Sequence, residues 1–593
     1  MISFCFLAFF VKSQEQPTNP IVLGNQLTNP YTVSAMQAAK ISLKAKKPNL
    51  SYNLLSNIET THYYIKYKPV NDAEFELLRS DSTLELFEYP LDYEILNGDG
   101  TWYHEPSLAN GAITWQYCVI EKNEPIKPIA YEVLADLFLP EPFIELQGVD
   151  PLLEAVSLEL IDEALLNSGN LFLGEFGARA SKWTPSGTIT AYDDLVGAQI
   201  PIAGAKVRVR SWFKYKKVFT NSNGYFSTDD FRTKVNYTIV WERFRYDIRN
   251  GWSLQSHYKG PKGTKNNWNP AISSGKSLRH ATIHRAAYRY FYGNIGGLKR
   301  PNVWTKLKIN YVDKSGANQG INWGNHWQLF VAGPILPHIK IWKNTGGSDF
   351  DTQEIFATTV HEIGHTSHIQ LMNMVAQFGQ VDILLRESWA NAIEWHVTDI
   401  EYVSIGYGVV SKLAIQGWNS SNSHEYTPLF IDFVDTQNQG INVLTGQPYC
   451  DIGYMDGGGN CQIGQAPSGE TAFIYAANGN KYFYYTPVGS NGCPVHNAWF
   501  DGSNCLVMTV PAGRLPFIHL NHWYLNPVIG TITTRISNKP DDQISGFVMS
   551  TIESQIVKHS YGLSSLQTRL KSNKPSGVTN AQIDTYLNFY FNL

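Results

Sequence analysis

The stretch Asp351-Thr352-Gln353-Glu354-Ile355-Phe356-Ala357-Thr358-Thr359-Val360-His361-Glu362-Ile363-Gly364-His365 decides how the surrounding chain folds. Asp351 followed by Glu354 fits a D-x-x-E variant of the capping box. Ile355, Phe356, Thr359, Val360 and Ile363 supply an apolar stripe, so a helix begins one to two turns before His361. Two histidines at i and i+4 lie about 40° apart around a helix of ~3.6 residues per turn. Both imidazoles then project from one face and can bind a single zinc ion. Glu362 sits beside the first histidine, where this residue type can accept a proton from the water that such a metal activates. Gly364 inside the helix costs roughly 1 kcal/mol relative to Ala, which a purely structural helix has little reason to accept.

A catalytic zinc needs a third protein ligand and an open position. The metzincin extension requires glycine at position 368 and histidine at position 371; the chain has His368 and Leu371, which excludes that subclass. Downstream, residues 386–395 read as a helix with Glu387, Asn391 and Glu394 on one face at i, i+4 and i+7. With these two motifs the sequence resembles the gluzincin peptidases, the clan of thermolysin and the zinc aminopeptidases, over about a tenth of the chain. The resemblance implies His361 and His365 as metal ligands, Glu362 as general base and Glu387 as third ligand. It places Asn391 where many members carry an acidic residue that orients a ligand histidine. Glu394 is the competing carboxylate on the same face. His368 reads as a hydrogen-bonded structural histidine, and His396 and Asp399 as surface groups or groups behind the ligands. The clan also stabilises its oxyanion with Tyr or His; Tyr407, His424 and Tyr426 are the candidates. His424 and Tyr426 stand just before a helix expected over Pro428 to Val434. A strand expected over Pro337 to Trp342 takes the place where zinc peptidases of this type keep an edge strand for extended substrate.

Outward from this region, the chain reads as a multidomain α+β protein. Residues 1–13 form an apolar run ending in Val11-Lys12-Ser13, read as a secretory signal without a positive n-region. Residues 14–180 read as an N-terminal α/β domain: strands Thr61–Tyr67, Leu84–Tyr89 and Ile113–Ile120 alternate with helices Asp72–Leu78, Tyr131–Phe138 and Leu152–Leu166. This domain is either an inhibitory propeptide or a permanent module, and Arg179-Ala-Ser-Lys182 is the cleavage candidate. Residues 185–250 switch to strand periodicity as a small β-sandwich; in Lys206-Val-Arg-Val-Arg210, Val207 and Val209 face inward and the basic residues outward. Pro201-Ile-Ala-Gly-Ala-Lys-Val207 followed by Thr220-Asn-Ser-Asn-Gly224-Tyr-Phe226 resembles the carboxypeptidase-regulatory-like modules of secreted and cell-surface proteins. That resemblance implies a spacer, or a module that contacts carbohydrate or a partner. Residues 255–440 form the α-rich zincin catalytic domain. Residues 441–527 form a Cys-containing β insert, and residues 528–593 return the last helices of the catalytic domain.

Cys450, Cys461, Cys493 and Cys505 cluster in that insert. Sequence-neighbour pairing into two disulfides is the expectation, with a structural zinc site as the rival. Cys118 reads as a buried free thiol. The aromatic insert residues Tyr475, Tyr482, Phe483, Tyr484, Tyr485, Trp499 and Phe500 suit a β core or stacking on sugars.

The 593 residues carry 47 Lys+Arg against 51 Asp+Glu, a formal charge of -4, and this balance argues against a nucleic-acid partner. The opening apolar run is far shorter than the ~20 residues that span a bilayer. Together these readings predict a secreted or cell-envelope zinc (Zn2+) metallopeptidase acting on peptide or protein substrate, with glycan or cell-surface contact through its β modules. The alternative is a catalytically inactive zincin used as a cell-surface binding or adhesion protein.

Overall fold

The computed structural model describes residues 21–55, 57–97, 103, 105–109, 112–140, 151–170, 182–250, 254–302, 306–322, 338–372, 375–408, 427–436 and 542–591, with the backbone of short paired strands between 442 and 536. Residues 1–13, read as a signal, with Cys5, Pro337, His424, Tyr426 and the side chains of Cys450, Cys461, Cys493 and Cys505, lie outside the described residues. The protein is multidomain and mixes helices with several small sheets. It forms two compact units: residues 1–294 with 300–366 and 405–407, and residues 295–299 with 367–404 and 408–593.

The first unit opens with β1 (Val22–Gln26), α1 (Val33–Lys46), β2 (His62–Tyr67), α2 (Asp72–Ser80), β3 (Tyr93–Asn97), β4 (Gln116–Glu121), β5 (Tyr131–Leu137) and α3 (Pro151–Asn167). Helix α1 has no counterpart in the sequence reading. Thr32 caps it by accepting a hydrogen bond from the Ala35 amide at 3.1 Å, and it buries Met36, Ala39 and Leu43 in one core with Leu160 and Ala164 of α3. The helix expected over Tyr131 to Phe138 is strand β5. Its helix-favouring Glu132, Leu134 and Ala135 are overridden because β2 offers a pairing edge that it fills in antiparallel register. Both neighbours of β2 are antiparallel, so this domain is α+β rather than an alternating α/β unit. The strand expected over Leu84 to Tyr89 is reduced to a bridge between Phe87 and Tyr117. Cys118 is a buried free thiol, its pKa pushed up to about 12 by burial.

Next come β6 (Ser186–Thr188), β7 (Thr190–Asp193), β8 (Ala198–Pro201), β9 (Lys206–Ser211), β10 (Lys214–Phe219), β11 (Tyr225–Ser227), β12 (Asn236–Val240), β13 (Tyr246–Asn250), β14 (Leu254–Gln255), β15 (His257–Lys259) and β16 (Ala271–Ile272). They build the sheets β10-β9-β12-β15 and β16-β7-β8 and the pair β11-β6. The Asn223-Gly224 turn is present. Asn221 Oδ1 accepts from the amides of Asn223 and Tyr225, and Gly224, at φ +73°, passes so close to the Ile189 carbonyl that a Cβ would stand 2.4 Å from its oxygen. Val207 and Val209 are fully buried, as expected. Arg208 and Arg210 are buried as well, against expectation, because residues 84–91 cover their face. Arg208 pairs with Glu85 at 2.9 Å and stacks 4.2 Å over Phe87, and Arg210 donates to the Leu91 and Trp212 carbonyls.

The expected α-rich domain contains a five-stranded mixed sheet. With β17 (Leu307–Ser315), β18 (Gly320–Asn322) and β19 (Ile339–Asn344), its order is β14-β13-β17-β19-β18. Strands β13, β17 and β19 run parallel, and β18 closes one edge antiparallel to β19. Strand β13 thus belongs to this sheet although it falls inside the boundaries expected for the sandwich. The same unit holds α4 (Gly275–Tyr292) and the start of α5 (Thr352–Leu371).

In the second unit the main elements are α6 (Ile383–Ser404), α7 (Leu563–Asn573) and α8 (Asn580–Phe591), with a π-helical turn at Ile552–Ile556. Pro428 to Val434 forms successive turns instead of the expected helix: Pro428 O accepts from both Ile431 and Asp432, and Ile431 O from Val434 and Asp435. Among the described residues of the insert, short strands pair antiparallel, and the outer pair joins Asn442–Pro448 to Thr531–Ile536. Pairing therefore extends beyond the expected boundary at 527.

Candidate metal centre

Helix α5 is fixed at its start by two reciprocal pairs of hydrogen bonds. The capping box forms as its residues dictate: the Asp351 amide donates to Glu354 Oε2 at 2.8 Å and the Glu354 amide to Asp351 Oδ1 at 2.7 Å. The Thr352 amide donates to Asp194 Oδ2 at 2.9 Å, and the Asp194 amide to Thr352 Oγ1 at 2.7 Å. Next to Asp194, the fully buried Asp193 pairs with Arg285 of α4 at 2.6 Å, and that guanidinium lies 5.1 Å over the Phe356 ring. The β7–β8 turn thus contacts the start of the helix directly. Burial of Ile355, Phe356, Val360 and Ile363 fixes the rotation, which leaves His361, Glu362 and His365 on a buried polar face. The two imidazole rings are 4.8 Å apart at 83° to one another.

Helix α6 begins at Asp382, whose Oδ1 accepts from the Leu384 amide at 3.0 Å. Trp389 is buried edge-on to Phe430 at 5.5 Å, and Ser388 Oγ meets Thr427 Oγ1 at 2.7 Å. These contacts flank Glu387. One ligand atom each from His361, His365 and Glu387 lies within 4.8 Å of the others, and this is the group of His, Cys, Asp and Glu side chains suited to an ion among the described residues. Glu394 is not part of it.

This donor set fits zinc. Bonds of about 2.0–2.2 Å to two imidazoles and a carboxylate bring such atoms to roughly 3.3–3.5 Å of one another, leaving the fourth tetrahedral position open.

Strand Ile339–Asn344 is not the sheet edge expected there. It is hydrogen-bonded to β17 on one side and to β18 on the other, so its backbone has no open side for a substrate. Among the described residues the edge is β18, and it passes directly over Glu362. A Cβ at Gly320 would stand 2.6 Å from Glu362 Oε1 and 2.7 Å from Thr358 Cγ2. Thr358 also donates to Gln319 Oε1 at 3.3 Å. The sequence reading missed Gly320; only its Gln-Gly-Ile-Asn setting ahead of the histidine helix could have drawn attention to it.

His368 is buried and packs edge-on against Phe378 at 5.0 Å. His396 is not a surface group. Its Nε2 closes on Gly296, where a Cβ would come within 1.9 Å, and burial lowers its pKa. Asn391 is half-buried and Tyr407 is exposed. No described helix is long and apolar enough to cross a membrane. Comparison of the chain with protein-family models, with curated proteins and with solved structures gave no match.

Proposed function

We propose that this chain is a zinc-dependent peptidase with a gluzincin-like site, exported to the cell envelope or beyond. The observation that carries the reading is the approach of His361, His365 and Glu387 within 4.8 Å, with Glu362 next to the first histidine in the sequence. Zinc bound there supplies a Lewis acid that polarises the scissile carbonyl and lowers the pKa of water. Glu362 accepts the proton from the attacking water and passes it to the departing amine, the usual work of a general base that turns acid. The side of β18 turned away from Ile339–Asn344, unpaired among the described residues, would offer backbone groups to an extended peptide whose scissile bond then lies near Glu362.

Zinc analysis and peptide-library cleavage of the wild type beside Glu362→Gln test this reading. The amide keeps the shape of the side chain and the two imidazoles but cannot carry the proton. Zinc should remain, and hydrolysis should fall by about 10²–10⁴. Equal activity in the two proteins would end the peptidase reading. Full zinc occupancy without activity in either would favour the inactive adhesion protein.

A further inference from the structure

The N-terminal domain meets the rest of its unit through groups that belong to a shared interior. At the β9–β10 hairpin, Trp212 adopts φ +50°, an uncommon conformation for a bulky side chain. The turn carries Phe213 into the core of the N-terminal domain, where its ring lies 5.8 Å from Tyr31 and 5.1 Å from Tyr64. Trp212 packs on Tyr31 from the same turn. A residue of the sandwich thus completes the hydrophobic core built by α1, α3 and the sheet around β2.

A second set of contacts joins α2 to the sheet beside the candidate metal centre. Glu76 accepts from Arg249 Nη2 of β13 at 2.7 Å and forms an ion pair with Lys308 Nζ of β17 at 2.9 Å. Arg79 donates to Asp247 Oδ2 at 2.8 Å and also bonds Gln255. Asp247 in turn pairs with Arg249 Nε at 2.7 Å. The Asp247, Arg249 and Lys308 side chains are no more than 5% exposed, so water cannot replace Glu76 and Arg79 while the surfaces are joined. Further along, Glu88 pairs with Lys259 and His257 of β15. Burial works against ionisation of Glu88, but the Lys259 and His257 charges outweigh it and hold the carboxyl down at about 2.

We propose that residues 21–170 are a permanent part of the folded protein and are not shed on maturation: once the chain is cut within 171–181, they stay bound to residues 182–593 through the Phe213 plug and the Glu76–Arg249–Asp247–Arg79 cluster. The partner of this surface is a segment of the same chain. The proposal does not depend on the zinc reading.

The test folds the full chain with an engineered protease site in 171–181, cuts it, and passes it over a sizing column at physiological salt. Both fragments should leave the column together, and either Glu76→Gln or Phe213→Ala should weaken the association by about tenfold or more, because each leaves buried groups without their partners. Free 21–170 fragment from the otherwise unmutated protein would overturn the proposal. Amide exchange on the uncut chain gives a second reading that does not require the cut protein to stay soluble. Phe213→Ala, which lies in the sandwich, should speed exchange in β2 and β4; Glu76→Gln, which lies in α2, should speed it in β13 and β17. Unchanged protection in both places would show two independent modules and overturn the proposal.

Discussion

Gly320 and Glu362 stand in direct apposition: a methyl group at position 320 would lie 2.6 Å from Glu362 Oε1 and 2.9 Å from its Cγ. The edge strand and the proposed general base therefore share a space that only glycine leaves open. Gly320→Ala should push the carboxylate aside without touching His361, His365 or Glu387. A displacement of about 1 Å in a catalytic group costs on the order of 10²-fold in rate, so kcat should fall by that much while zinc content stays at the wild-type level. Activity within about twofold of wild type would show that the Glu362 side chain gives way without consequence, and the assigned role of β18 would be lost.

The ligand assignment makes a sharper prediction, because Glu387 and Glu394 lie on one face of α6 and only one of them joins the histidines. His365→Ala and Glu387→Ala should strip most of the metal from the purified protein. Glu394→Ala should retain it. Zinc measured by plasma emission after dialysis decides the matter, and loss of metal in Glu394→Ala with retention in Glu387→Ala would reverse the assignment.

These residues also mark the line between what was legible in the sequence and what was not. The start and phase of α5 could be read because they rest on neighbours: Asp351 and Glu354 are three residues apart, and the apolar stripe repeats within the same few turns. Helix-face spacing alone nominates both Glu387 and Glu394, and only the resemblance of the Glu387 setting to the clan favours Glu387, since a shared helix face says nothing of where the other helix runs. Strand β5 was misread for a related reason. Tyr131-Glu-Val-Leu-Ala-Asp-Leu137 has mixed propensity, and pairing with β2, some seventy residues earlier, decides it. The basic side of β9 looked solvent-facing until Glu85 and Phe87 were seen to cover it, a contact more than a hundred residues long. Gly320 is of the same kind, since its neighbour is forty-two positions away.

At the head of α5, Asp351 and Asp194 should behave alike although one is local and the other comes from the sandwich. Each accepts a hydrogen bond from an amide in the first turn, at Glu354 and Thr352 respectively. Removing such a cap costs about 1 kcal/mol, and the cost should appear where the amides are. Asp351→Ala and Asp194→Ala should each raise hydrogen exchange across residues 352–358 by about fivefold, with zinc still bound. Exchange unchanged in Asp194→Ala would mean that the β7–β8 turn does not hold the helix.

Glu553 gives a prediction about pH. It lies on the π-helical turn Ile552–Ile556, almost fully buried, and its Oε2 accepts from the Lys299 amide at 2.8 Å. Burial pushes its carboxyl up from 4.5 to about 7, against the smaller opposing effects of that hydrogen bond and of the Lys299 charge. Because the folded value is the higher one, the folded chain keeps a proton over a range where the unfolded chain has lost it. The stability this confers is complete below about pH 4.5, declines as pH rises, and is gone above about pH 7. The total change is on the order of 3 kcal/mol, taking about 1.4 kcal/mol for each pH unit across that window. Glu553→Gln keeps a side-chain oxygen for the Lys299 amide but has no proton to lose. Urea unfolding of the second unit should therefore find the variant close to wild type at pH 5 and more stable at pH 8. Other groups titrate in this range too, among them His257, which burial lowers to about 4. They are common to both proteins and cancel in the difference. A variant equally displaced from wild type at both pH values would show that Glu553 does not hold its proton in the folded state.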